Sequence, residues 1–227
     1  MKVEFIPNES IEQAADELLA DYGARFTQVT EPPVPVEEIL ECHLDLSLGF
    51  DDLQQRLGTP DVLGATWIDE MEVLVDASLD PTIYPKREGR YRFTVAHEVG
   101  HWILHRHALK ESKQTPLFEG RPEPSIVCRK ATRKPRIEIQ ADRFASYLLM
   151  PRELVLRHWE SRFGSLQPQV VEDEINQLGG IQDAGVPTVA ISKAVAQAFK
   201  VSGQAMQIRL LDLNLVLTKQ PPKGLFD

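Results

Sequence analysis

Between Ser10 and about Tyr22 the apolar residues Ile11, Ala14, Ala15, Leu18 and Leu19 recur every three or four positions, the spacing of one face of an α-helix. Ser10 and Gln13 have the form of a capping box, and Gly23 that of a helix stop. A proline-rich link, Glu31 to Val36, leads into a predicted short helix from Val36 to Cys42, and Leu44 to Phe50 then alternates as a strand does. Between Gly64 and Leu79 the order Ala65-Thr66-Trp67-Ile68, Asp69-Glu70, Met71-Glu72-Val73-Leu74-Val75-Asp76 predicts two antiparallel strands and a tight turn. Such a hairpin is either purely structural or offers a free edge to an extended peptide. Pro81 to Gly89 is turn-rich and predicts a loop.

The two most informative stretches follow. From Arg92 to His105, Val95, Ala96, Val99, Trp102, Ile103 and Leu104 surround a short charged set, which predicts a mostly buried helix. From Ile137 to Pro151, the stripe Ile137, Ala141, Phe144, Leu148 runs beside a second stripe, Glu138, Asp142, Ala145, Leu149. That pattern predicts another buried helix, with two carboxylates one turn apart and Pro151 as its stop. Ala108 to Arg136, with Pro116, Pro122, Pro124 and Pro135, lacks periodicity and predicts a long loop or flap. Near the C-terminus, Thr188 to Phe199 and Gln204 to Leu213 flank a break at Val201-Ser202-Gly203, the outline of a helix-turn-helix.

Composition narrows the class. With 25 basic against 34 acidic residues the net charge is −9, which argues against a general grip on nucleic acid phosphates. The predicted recognition helix offers one cation, Arg209, so the C-terminal helices are expected to pack or to receive a substrate rather than bind DNA. The basic run over residues 129–136 is the exception: a solvated charge run, or a holding site for an acidic or nucleic acid partner. No apolar run is long enough for a bilayer and the start lacks a signal peptide's apolar core, so a cytoplasmic location is expected. Cys42 and Cys128 form no Cys-x-x-Cys unit and are expected to be reduced and structural.

The chemistry centres on His97-Glu98-Val99-Gly100-His101. Four residues on a helix turn a side chain by only about 40°, so His97 and His101 project from one face as a pair of metal ligands. Two buried imidazoles and a carboxylate without partners cost several kcal/mol, which a bound cation would offset. Glu98 stands where a metallopeptidase carries its general base. Catalytic zinc takes three protein ligands and a water, so a third ligand must come from elsewhere. His107 is one candidate, six residues after His101, but Leu104 stands where a turning glycine would be needed, and in a continuing helix His107 points about 240° away. Glu138 is the better candidate, with Asp142 placed to accept the free N–H of a ligand histidine. Glu153 is a weaker rival. His105 is a core histidine or a cleft-lining donor, and Tyr91 and Tyr147 are candidate oxyanion donors between which the sequence does not select.

Arg92-Phe93-Thr94-Val95-Ala96-His97-Glu98-Val99-Gly100-His101-Trp102, then Cys128-Arg129, then Ile137-Glu138-x-Gln140-Ala141-Asp142-x-Phe144-Ala145-x-x-Leu148-Leu149-Met150-Pro151 resembles the ImmA/IrrE family of metallopeptidases. The resemblance extends from Pro33-Val34-Pro35-Val36-Glu37 to Ala198-Phe199-Lys200-Val201-Ser202. It implies His97, His101 and Glu138 as zinc ligands, Glu98 as catalytic acid/base, and a protein substrate, often a helix-turn-helix transcriptional repressor. Where some members have asparagine, this chain has Asp142. The expected architecture is α+β: a zincin-like domain over residues 1–163 with a small antiparallel sheet, then a small all-helical domain over residues 164–227. The expected function is zinc-dependent endopeptidase. Its rivals are a binding module of the same fold that regulates a repressor or toxin by contact, and a DNA-binding regulator using the C-terminal helices.

Overall fold

The computed structural model describes residues 4–112, 124–129, 135–181 and 186–219. They form a mixed α+β structure in two compact units, residues 1–151 and 152–227. The division falls after Pro151, so the helix that follows it groups with the second unit rather than, as expected, with the first.

In the first unit, α1 (Asn8–Arg25) buries Ile11, Ala15, Leu18 and Tyr22, a stripe that packs on α5. The helix starts before Ser10 and runs through Gly23, and the Gln13 amide donates to Glu17 Oε1 (2.8 Å) instead of closing a capping box. The link then leads into α2 (Val36–Glu38), continued by a π turn at Ile39–His43 that buries Ile39 and Leu40. Strand β1 (Ser47–Asp51) and the short helix α3 (Leu53–Leu57) come next, Asp52 Oδ1 accepting the Gln55 N–H at 2.9 Å as the helix cap. The expected hairpin is present as β2 (Val62–Trp67) and β3 (Glu72–Asp76), paired antiparallel from Gly64↔Val75 to Trp67↔Glu72.

After two short 3-10 turns, α4 (Glu88–Ser112) carries the histidines, β4 (Ile126–Arg129) returns to the sheet, and α5 (Arg136–Leu149) ends before Pro151. Two expectations change here. The stretch expected to be one long loop contains the last turn of α4 and strand β4, whose four residues are too few for periodicity to reveal. Residues 113–123, and residues 130–134 of the basic run, lie outside the described residues. Among the described residues the sheet order is β1-β3-β2-β4, so both hairpin strands are internal and the edges are β1 and β4. Of the two alternatives for the hairpin, the internal position fits the purely structural one. The sheet is also mixed rather than antiparallel, because β1 pairs with β3 in parallel, Ser47↔Glu72 to Asp51↔Asp76.

Side-chain alternation gives the sheet two jobs. Ala65, Trp67 and Leu74 join Leu53, Val62, Leu57 and Val127 in a core cluster on the α3 side. The alternate residues Gly64 and Thr66 face α4. Helix α4 also lies against α5, and there Gly100 is required: a Cβ would meet Phe144 Cβ at 3.1 Å and the Ala141 carbonyl at 3.2 Å. The start of α4 is tied to the proline-rich link through Arg92, which donates to the Val34 carbonyl and to Glu37 Oε2 (3.3 Å).

The second unit comprises α6 (Arg152–Phe163), β5 (Gln169–Val170), α7 (Glu172–Gln177), α8 (Ala190–Phe199), α9 (Gly203–Asp212) and β6 (Val216–Leu217). It is not all-helical, since β5 and β6 pair in parallel. Lys200 at φ 52° closes α8, and Ser202 Oγ caps α9 by accepting the Ala205 N–H at 3.1 Å. Arg209 is 1% exposed and paired with Asp212 at 2.9 Å, so the cation expected on a recognition helix is buried inside its own unit.

Candidate metal centre

The centre is built where α4 passes between α5 and the sheet. His97 and His101 lie one turn apart on a stretch of α4 whose neighbours Val95, Ala96 and Val99 are fully buried. Their Nε2 atoms face each other at 3.0 Å. Glu138, in the first turn of α5, reaches both rings, Oε2 at 3.2 Å from His97 Nε2 and Oε1 at 3.3 Å from His101 Nε2. Three donors from two helices thus converge on one point. Donors held about 2.0–2.2 Å from an ion at tetrahedral corners are separated by roughly 3.3 Å, so this spacing fits a small divalent cation.

The hydrogen bonds behind the rings fix which nitrogens are free. His97 Nδ1 lies 3.0 Å from Asp142 Oδ1, an acceptor only, so the proton is on Nδ1 and the Nε2 lone pair points inward. His101 is oriented by a longer chain. Gln140 Nε2 donates to the Glu4 carbonyl at 2.9 Å, which turns Gln140 Oε1 toward His105 Nε2, 3.0 Å away. His105 Nε2 then carries its proton and its Nδ1 accepts from His101 Nδ1 at 3.1 Å, leaving His101 Nε2 free as well. Burial favours the neutral rings this requires: it depresses the His105 pKa and brings that of His101 down to about 4.

Charge follows from the same packing. Burial works against the Glu138 carboxylate, but its bonds to His101 and His97 outweigh burial and hold its pKa well below the ordinary range. Burial likewise opposes a charged His97, yet Cys128, Asp142 and Glu138 reverse the balance and raise its pKa well above normal, so a metal ion would bind His97 Nε2 by displacing a proton from it. The pocket is therefore strongly cation-attracting.

Glu98 is placed differently. It is fully buried, Oε2 accepts the Thr66 hydroxyl at 2.7 Å, and Oε1 has no hydrogen-bond partner. Burial pushes its pKa up to about 7. The carboxylate lies over the backbone of β2, where a Cβ on Gly64 would stand 2.6 Å from Oε1. Gly64 pairs with Cys128 across β2 and β4, and Cys128, His97 and Glu138 bring ligand atoms within 4.8 Å of one another.

The structure thus brings together five residues singled out by spacing: His97, His101, Glu138, Asp142 and Glu98. His107 is exposed on the continuing helix, where the absence of a breaker at Leu104 was expected to leave it, and Glu153 is exposed in the first turn of α6. Tyr91 is buried with its ring stacked on Phe50 at 5.5 Å, and Tyr147 is buried on α5. Sequence reasoning missed Gly64, Thr66, Gln140 and Cys128. Only Gln140 and Cys128 left a sequence signal, as members of the two motifs quoted above.

The family model described as the IrrE N-terminal-like domain of the M78 peptidases matches residues 84–211, more than half of the chain. The chain belongs to this family. The match begins just before α4 and so takes in the whole donor set and its hydrogen-bond partners on α4, β4 and α5. No curated protein matches the chain. A solved structure of a Mycobacterium tuberculosis transcriptional regulator is similar at 17% identity and a TM-score of 0.45, covering 88% of this chain and 55% of that one. The chain thus spans about half the length of that regulator. No helix among the described residues is long and apolar enough to cross a membrane.

Proposed function

We propose that the protein is a zinc-dependent endopeptidase in which His97, His101 and Glu138 hold the ion and Glu98 is the general acid/base. The observation that carries this reading is the convergence of three lone-pair donors at 3.0–3.3 Å beside a buried carboxylate with one oxygen unpartnered. Bound zinc supplies Lewis-acid polarisation of a carbonyl and a lowered pKa for a water, toward about 7. The protein's part is orientation and proton handling. Asp142 and the Gln140–His105 chain keep both imidazoles in the Nε2-free tautomer. Thr66 holds Glu98 Oε2, which leaves Oε1 to take a proton from the attacking water and return it to the leaving amine. In the metal-free protein burial raises the pKa of that carboxyl to about 7, which makes it a better proton acceptor than an ordinary carboxylate.

The substrate is a polypeptide, and the family resemblance points to a transcriptional repressor in a cytoplasmic setting. The test is metal analysis of the purified protein coupled to peptide-library and repressor cleavage. Glu98→Gln is expected to retain zinc and lose turnover, while His97→Ala and Glu138→Ala lose both. A Glu98→Gln variant with undiminished turnover overturns the assignment.

A further inference from the structure

A sulfur stands beside two of the three donors, His97 and Glu138. Cys128 is a free cysteine, buried to 6% exposure. Its Sγ lies within 4.8 Å of the ligand atoms of His97 and Glu138. The register explains why. Cross-strand partners point to the same face of a sheet, and the partner of Cys128 is Gly64, the residue whose missing Cβ leaves room for Glu98. Cys128 on β4 thus stands on the face of the sheet over which the Glu98 carboxylate lies.

We propose that Cys128 is a fourth ligand of the ion, giving a closed His97-His101-Glu138-Cys128 sphere in the resting protein. This rests on the zinc reading above and adds regulation of the same site. Thiolate is a strong zinc ligand, and a centre with four protein ligands has no position for water. The thiol proton leaves to solvent as the sulfur–metal bond forms, so nothing else need be consumed. The closed form is latent. Opening it requires only that the sulfur withdraw, and β4 suits that role: it is an edge strand whose neighbour in the sheet is β2, with a register slip between Val62 and Gly64 beside Cys128. Movement of this edge withdraws the sulfur while the other three ligands stay on their helices.

The test uses the full chain loaded with cobalt(II) in place of zinc. The wild type and Cys42→Ser are expected to show a thiolate-to-cobalt charge-transfer band in the near ultraviolet, which Cys128→Ser lacks while keeping the visible bands of a tetrahedral ion. Azide is expected to perturb the visible bands of Cys128→Ser and not of the wild type. Zinc affinity of Cys128→Ser should fall at least tenfold, about 1.4 kcal/mol. Wild-type protein that binds cobalt without the thiolate band, or a band that survives in Cys128→Ser, overturns the inference and leaves the three-ligand centre standing. A wild type that binds neither metal overturns both.

Discussion

Replacing Gly64 by alanine tests how the sheet positions Glu98. A Cβ at this position would stand 2.6 Å from Glu98 Oε1, 3.2 Å from Glu98 Cδ and 2.9 Å from Thr94 Cγ2, against an ordinary contact of at least 3.4 Å. Thr94 and Glu98 sit one turn apart on α4, so the helix cannot tilt away from one without meeting the other. The carboxylate must swing, and the 2.7 Å bond from Thr66 goes with it. Overpacking of this kind costs about 1–3 kcal/mol and a hydrogen bond to a charged group about 1.5–3, so a total of roughly 2.5–6 kcal/mol is expected in denaturant unfolding of the metal-free protein. Displacing a general base by about 1 Å lowers turnover by about 10²-fold. The three atoms nearest the new methyl belong to Glu98 and Thr94 and not to the donors, so zinc affinity should stay within about threefold. The cause can be isolated in a double-mutant cycle with Glu98→Ala. With the carboxylate removed, the part of the Gly64→Ala cost that comes from Glu98 should vanish and the Thr94 contact remain, a coupling of at least about 1 kcal/mol. Wild-type turnover in Gly64→Ala, or an undiminished cost in the Glu98→Ala background, would refute the reasoning.

The remaining predictions concern protons and metal. Glu98 titrates near 7 in the fold against 4.5 ordinarily, so the unfolded chain releases its proton first and the residue lowers stability progressively as pH rises from about 4.5 to 7. Glu98→Gln removes that penalty: metal-free variant and wild type should differ by about 3 kcal/mol more at pH 8 than at pH 4, read by urea unfolding, and a pH-independent difference would contradict it. Gln140→Leu breaks the chain that orients His101 and should weaken zinc binding by about 10–100-fold in a chelator competition, with His105→Ala behaving alike; unchanged affinity in both would remove the orienting role. His107→Ala should leave zinc affinity within about threefold, since His107 is exposed on the far face of α4; loss of metal would reinstate it as a ligand.

How much of this was legible in the sequence depends on the range over which each feature is encoded. The faces of α4 and α5 are local patterns, and a four-residue step fixes which side chains share a face, so His97, His101, Glu138 and Asp142 could be chosen without coordinates. The hairpin was legible because β2 and β3 are adjacent in the chain, two short apolar runs on either side of Asp69-Glu70. The edge strand β4 was not: it is four residues long, and its partner β2 lies more than fifty positions earlier. With β4 unseen, Cys128 looked like a lone structural cysteine. Gly64 and Thr66 escaped for a related reason, because their importance lies in what stands across from them and not in their own spacing. The parallel pairing of β1 with β3, and the division of the units after Pro151, are likewise set by long-range packing to which local periodicity is blind.

The most direct measurement is a crystal structure of the zinc-loaded protein with anomalous scattering collected at the zinc edge. The account predicts a single peak between α4 and α5, about 2.0–2.2 Å from His97 Nε2, His101 Nε2 and a Glu138 oxygen. A zinc peak elsewhere, or at this place without Glu138 among its ligands, would contradict it.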